Sequence, residues 1–225
     1  MTTTTTPPFY VRSEAERIEI TSKAIAEQRT VLERWSVLAD PEANRWTLRA
    51  ALAADWLVDK SGVADLGCGT MNLERHLSPD KAYVPIDVVA RDARTIVCDF
   101  NQETPPPTSA SAAACLGLLE YLHKPYDFMT ILSGQYRLAV VSYSVTDAPE
   151  ASRNRREHAW VNDFDTEGME ALFRETGWTI TGCRWIDGVQ RLWRLRACSG
   201  DRGGTPGTAA SISCVEANGS DSSDA

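Results

Sequence analysis

Between Gly62 and Ala197 short apolar runs alternate with longer mixed stretches, and the runs have the length of buried strands. Five are expected, near residues 62–66, 82–87, 95–99, 111–117 and 137–145. Strands separated in this way by helical stretches predict an α/β fold with a parallel sheet and right-handed crossovers. The pattern then changes. Thr179 to Ile186 and Val189 to Ala197 flank Asp187-Gly188, a two-residue hairpin signal, so the last two strands should be antiparallel neighbours. Upstream, Ile18, Ala24, Ile25, Leu32 and Trp35 recur at helix-like spacing, and Pro41 opens a second run with Trp46, Leu48, Leu52, Trp56 and Leu57. Both helical stretches are expected to pack on the sheet and cover a ligand cleft. The two ends carry almost no large apolar residues. The chain therefore divides into a disordered start (1–8), N-terminal helices (9–60), one α/β domain (61–198) and a disordered tail (199–225).

The first strand ends in Val63-Ala64-Asp65-Leu66-Gly67-Cys68-Gly69-Thr70, and the second ends in an acid, Asp87. A glycine turn after a strand lets backbone N–H groups approach a ligand, and an acid at the next strand tip can hold a ribose diol. A dinucleotide fingerprint needs a third glycine and a helix N-terminus for the pyrophosphate, but Gly69 runs on to Thr70-Met71-Asn72. An acid two residues before the first glycine would repel a phosphate and suits an ammonium group. In these residues the chain resembles the class I S-adenosylmethionine (SAM)-dependent methyltransferases: Asp65-x-Gly67-x-Gly69 matches their first motif, Asp87 their ribose acid, and Val97-Cys98-Asp99-Phe100 their adenine-side motif.

The resemblance spans roughly Gly62 to Cys198. It implies SAM as cofactor and a Rossmann-like sheet with a parallel core, a C-terminal antiparallel hairpin and an N-terminal helical segment. It also implies a set of cofactor-binding residues: Asp65, Gly67, Cys68 and Gly69 at the turn, Asp87 on the ribose, Asp99 on the adenine amine, Phe100 against the ring, and the backbone of Leu116 and Gly117 at the methionine end. Three departures stand out. Met71 occupies the place of a frequent third glycine, only Val88 to Arg94 separates the second and third strands, and Pro105-Pro106-Pro107 cannot continue a helix. A weaker similarity links the stretch from Val84 to Asp99 to small methyltransferases of polysaccharide and sugar biosynthesis.

Arg153, Arg155, Arg156 and His158, followed by Trp160 and Asn162, lie in the connection after the fifth strand, which in this fold overhangs the acceptor side of the cleft. Arginine forks bind carboxylate or phosphate at two points, so Arg155 and Arg156, with Tyr143, Trp160 and Asn162, are the expected substrate contacts and an anionic acceptor is expected. If the acceptor is a hydroxyl, a base helps, and His158 is the first candidate, Asp147 the second. Amine and thiol acceptors stay open.

A formal charge of −8 argues against a nucleic-acid partner. No apolar run approaches the ~20 residues that span a bilayer, and the threonine-rich start has no signal-peptide pattern, so a cytoplasmic enzyme is expected. The six cysteines form no Cys-x-x-Cys pair and read as reduced structural thiols, and the three histidines show no metal-ligand spacing. The expected function is transfer of a methyl group to a small-molecule hydroxyl on a sugar, nucleotide-sugar or natural-product intermediate. An NAD-dependent oxidoreductase and a catalytically inactive SAM-binding module are the alternatives, and a homodimer is left open.

Overall fold

The computed structural model describes residues 8–36, 46–151 and 154–198. Pro41, Arg153 and the proposed disordered ends at 1–8 and 199–225, apart from Pro8, lie outside these residues. Seven strands form one sheet: β1 (Gly62–Leu66), β2 (Ala82–Asp87), β3 (Ile96–Val97), β4 (Ala112–Leu116), β5 (Leu138–Ser144), β6 (Trp178–Trp185) and β7 (Gln190–Ala197). Their spatial order is β3-β2-β1-β4-β5-β7-β6. The first five are parallel, and β7 lies antiparallel between β5 and β6. The α/β sheet and the terminal hairpin are therefore as expected. The third strand is shorter than expected, because Asp99 starts a turn in which its carbonyl accepts from the Gln102 and Glu103 N–H groups.

Alternation along the strands sorts side chains onto two faces. Ala64, Leu66, Ala113, Cys115, Ala139 and Val141 join one core, with Met129 and Leu132 of α4 (Pro125–Gln135) and Leu172 and Phe173 of α5 (Thr166–Glu175). Val63, Ala112, Ala114, Leu138 and Val140 join the other, with Ala50, Ala53 and Ala54 of α3 (Trp46–Asp55). No helix is present between Asp87 and Ile96, as the short segment predicted. After the Gly67–Gly69 turn only a single 3₁₀ turn, Glu74–His76, occurs before β2.

The N-terminal segment differs from expectation. It breaks into α1 (Glu14–Glu27) and the four-residue α2 (Leu32–Trp35), because Gln28 takes a left-handed conformation (φ 50°) that ends α1. A reciprocal Ser13–Glu16 capping box starts α1. Only α3 packs on the sheet. Instead, α1 packs on the 3₁₀ turn Arg155–His158: Arg17 Nε donates to the Glu157 carbonyl (2.9 Å), Thr21 Oγ1 to that of Arg156 (2.7 Å), and Phe9, Ala24, Val31 and Ala159 close a small core beneath.

Cys68, Cys98, Cys115 and Cys198 are free thiols. Cys183 is disulfide-bonded, which departs from the expectation that every cysteine is reduced. No described helix is long and apolar enough to cross a membrane.

Candidate active site

The carboxyl ends of β1, β2 and β4 open onto two cavities that share Trp35, Gly67, Gly117 and Tyr121 as walls. The smaller, about 50 Å³, is bounded by Asp87, Asp99, Phe100 and Asn101. The larger, about 430 Å³, is bounded by Asp65, Cys68, Gly69, Leu116, Glu120 and the aromatic residues discussed below. Open α/β sheets bind ligands at this edge, where the strand order reverses between β1 and β4.

The turn is left-handed at Gly67 (φ 74°), Gly69 (φ 51°) and Met71 (φ 55°). Met71 thus holds the backbone conformation that a third glycine would favour, at a cost of order 1–2 kcal/mol for a residue with a Cβ. Asp65 is buried and accepts from the Tyr83 hydroxyl (2.6 Å). Burial pushes its carboxyl up to about 7, against the Tyr83 hydrogen bond and the nearby Arg49 charge. The folded chain therefore holds this proton more tightly than the unfolded chain does. Its contribution to stability is full in acid and is lost as the pH rises through about 7.

Asp87 accepts from the Gly69 N–H (2.8 Å), the Val89 N–H (3.0 Å) and Arg91 Nη2 (2.9 Å). Arg91 also donates to the Trp35 carbonyl (3.0 Å), which ties α2 to the tip of β2. Asp99 Oδ1 accepts from the Thr30 hydroxyl (2.6 Å) and the Asn101 N–H (3.0 Å). Phe100 is half-buried and meets Phe128 edge-on at 5.2 Å.

Arg49 of α3 lies against Gly117 so closely that a Cβ there would collide with its guanidinium, and Gly117 is also left-handed (φ 68°). Burial lowers the Arg49 pKa, and Glu120, Asp65 and Asp187 oppose that shift. Glu120 is 1% exposed. Its Oε1 accepts from the Ser144 N–H (2.9 Å), its Oε2 has no partner among the described residues, and burial raises its pKa. Thr70 Oγ1, Asn72 Nδ2, Ser144 Oγ and the Nε atoms of Arg34 and Arg49 are likewise buried and unpartnered around the same cavity. Buried polar atoms are almost always satisfied, so a cluster of orphans in one cavity wall points to a polar ligand. Among the described residues no group of three His, Cys, Asp or Glu side chains could hold a metal ion.

By sequence, no protein-family model and no curated protein matches the chain. Solved structures do match by fold. The 1,6-didemethyltoxoflavin-N1-methyltransferase of Burkholderia thailandensis, with 1,6-didemethyltoxoflavin and S-adenosylhomocysteine bound, is 14% identical with a TM-score of 0.56, over 84% of this chain and 92% of that one. Mitomycin 7-O-methyltransferase is 13% identical with a TM-score of 0.58, over 85% and 69%. An O-methyltransferase from neocarzinostatin biosynthesis, in complex with SAM and 2-hydroxy-5-methyl naphthoic acid, is 14% identical with a TM-score of 0.54, over 82% and 69%. The fold is that of the class I methyltransferases.

On this methyltransferase fold the residues expected at the acceptor side separate into two groups. His158 and Trp160 line the larger cavity, with their rings 4.9 Å apart, and Trp160 Nε1 donates to the Tyr121 hydroxyl (3.0 Å). Burial lowers the His158 pKa, with Glu157 opposing and Arg17, Arg34 and Arg155 adding to the shift, so the imidazole is neutral at neutral pH. The others do not face the cavity. The Arg155 guanidinium is spent on the Ser144 carbonyl (2.7 Å), the Tyr143 hydroxyl (2.8 Å) and the Asn162 carbonyl (3.0 Å). Asn162 Oδ1 accepts from Tyr143, and its Nδ2 donates to the carbonyls of Leu119 and Leu122. Arg156 is held by Asp163 and the Trp160 carbonyl. Asp147 accepts from the N–H and hydroxyl of Thr166, at the start of α5. These five residues fasten the loop instead of presenting polar groups to a ligand.

Sequence reasoning missed Arg34, Arg49, Trp46, Tyr10 and Asn72 as residues of the cavity wall. A readable signal existed for one pair, since Trp46 and Arg49 stand three apart on one helix, the spacing of a cation–π contact (5.6 Å here).

Proposed function

We propose that the chain is a SAM-dependent methyltransferase that acts on a hydroxyl of a small molecule. One observation carries this reading: at the methionine end of the cleft an acid, Asp65, and a cation, Arg49, flank the glycine turn, the pattern required by the ammonium and carboxylate of an amino acid. Asp65 would hold the ammonium and Arg49 the carboxylate. Asp87 would hold the ribose hydroxyls, and Asp99 with Phe100 the adenine. When bound, SAM supplies a methyl group made electrophilic by its sulfonium.

The protein's own task is alignment, exclusion of water and custody of one proton. Trp35 and Tyr121, edge-on at 4.6 Å, wall both cavities and shield the cleft. His158, neutral and facing the larger cavity, accepts the acceptor's hydroxyl proton, and Asp147 is withdrawn as the second candidate base by its commitment to Thr166. The acidic balance of the chain supports a small-molecule partner over nucleic acid. A cytoplasmic natural-product or sugar-linked intermediate is the finer reading of the acceptor.

An NAD-dependent enzyme fits less well. A pyrophosphate needs a helix N-terminus after the glycine turn, and here the turn leads only to a 3₁₀ turn with Asp65 behind it. Calorimetry decides between them: S-adenosylhomocysteine should bind and NAD should not. Its affinity should fall as the pH drops below about 7, because Asp65 must give up its proton to meet the ammonium. That pH dependence should vanish in Asp65→Asn. Binding of NAD in preference, or S-adenosylhomocysteine affinity flat between pH 5 and 8 in the wild type, would count against the assignment.

A further inference from the structure

The cavity contains a second cation that the cofactor reading leaves unused. Arg34 of α2 is 7% exposed. Its guanidinium lies 4.5 Å from the ring centroids of Tyr10 and of Trp35 and 6.0 Å from that of Trp46. Its Nε is buried without a partner, and none of its nitrogens is bonded or ion-paired among the described residues. The other buried arginines in the region each have a bonded or charged neighbour. Arg155 is spent inside the loop, Arg91 pairs with Asp87, and Arg49 feels Glu120 and Asp187 beside the glycine turn. A guanidinium taken out of water with no anion among the described residues is unfavourable unless a ligand completes it. Three aromatic rings recover part of that cost and fix the plane of the fork.

The surroundings specify what completes it. Arg34 stacks among Tyr10, Trp35 and Trp46, and all four residues line the larger cavity together with Tyr121 and His158. There the wall is built from rings: Tyr10, Trp35, Trp46, Tyr121 and Trp160, with the His158 imidazole against Trp160. Resting on the methyltransferase reading for the acceptor's role, we propose that the acceptor is a planar aromatic acid whose carboxylate is held by the Arg34 fork, its ring between the cavity aromatics and its hydroxyl toward His158. Flat rings match a slot of aromatic faces, and a carboxylate accepts two parallel N–H bonds from an arginine. This moves the anion site from the Arg155–Arg156 pair to α2.

The test titrates the full chain, saturated with S-adenosylhomocysteine, with 3-hydroxy-2-naphthoate, with 2-naphthol, which lacks the carboxylate, and with 2-hydroxycyclohexanecarboxylate, which lacks the ring. The hydroxynaphthoate should bind about tenfold or more tightly than either analogue, the effect of one charge-assisted pair or of lost ring contact. In Arg34→Gln the preference over naphthol should shrink to within about threefold while S-adenosylhomocysteine affinity holds, and Arg34→Lys should keep part of it. Equal binding of naphthoate and naphthol, an undiminished preference in Arg34→Gln, or no saturable binding of the aromatic acid would overturn the proposal. The wild-type comparison stands even where the Gln variant does not fold. If S-adenosylhomocysteine itself fails to bind, the methyltransferase reading falls, and the same titration on the free chain still decides the anion site.

Discussion

His158 shows how a residue's role depends on what its neighbours leave free. Its ring lines the cavity, and its pKa is lowered first by burial. A base must be neutral to accept a proton, so activity should rise with pH along an acid limb set below the usual histidine value. His158→Gln should lower kcat by about 10²–10⁴-fold at neutral pH, the range for general-base catalysis, and remove that limb from the pH profile. A retained limb would assign it to another group. Arg155, three positions away, reads similarly in the sequence and does the opposite, since four internal contacts consume it. The sequence carries the chemistry of both side chains but not their accessibility. Burial of Arg34, Arg49 and Glu120 depends on segments distant in the chain, and a single charged residue on a helix ordinarily reads as solvated.

At the scale of elements, strands and turns were legible because their signals are local. The buried runs of β1, β4 and β5, the glycine turn and the Asp187-Gly188 hairpin all follow from short-range pattern. The docking of α1 did not. Its apolar spacing marks a face to be buried but not the surface that buries it, and it lands on the Arg155–His158 turn. If His158 acts as proposed, that contact would give α1 a functional consequence, because His158 belongs to the clasped turn. Arg17→Ala with Thr21→Val removes the hydrogen bonds to the Glu157 and Arg156 carbonyls, worth about 1 kcal/mol each, together with the weaker Arg17–Glu157 ion pair and two bonds inside the N-terminal segment. Melting temperature should drop by roughly 4–8 °C. The acceptor KM should rise several-fold while S-adenosylhomocysteine affinity stays put. A KM unchanged alongside the lower melting temperature would make α1 a purely stabilising element.

Across the whole molecule the labour is divided. In the proposed reading the cofactor side is the sheet edge, with Asp65 and Asp87 in strands of the parallel ladder and the glycines and Asp99 in the turns just beyond them. The wall proposed to hold the acceptor comes from α2, α3 and the post-β5 loop, which no ladder fixes. Substitutions in those segments can reshape the acceptor wall without touching strand register. Solved structures share this fold at 13% and 14% identity, so the frame does not require one particular set of side chains.

Arg91 crosses that division. One guanidinium grips Asp87 at the strand tip and the Trp35 carbonyl in the segment that walls both cavities. Asp87 and the wall of both cavities are thus joined through one side chain, a latch that would also time entry and exit. In the proposed reading a diol bound at Asp87 would compete with Arg91 and loosen its hold on the Trp35 carbonyl. Arg91→Met should therefore quicken both entry and exit of S-adenosylhomocysteine in stopped-flow tryptophan fluorescence, with each rate constant rising several-fold. If only the equilibrium constant moves, through one rate alone, Arg91 holds the ribose acid but keeps no time.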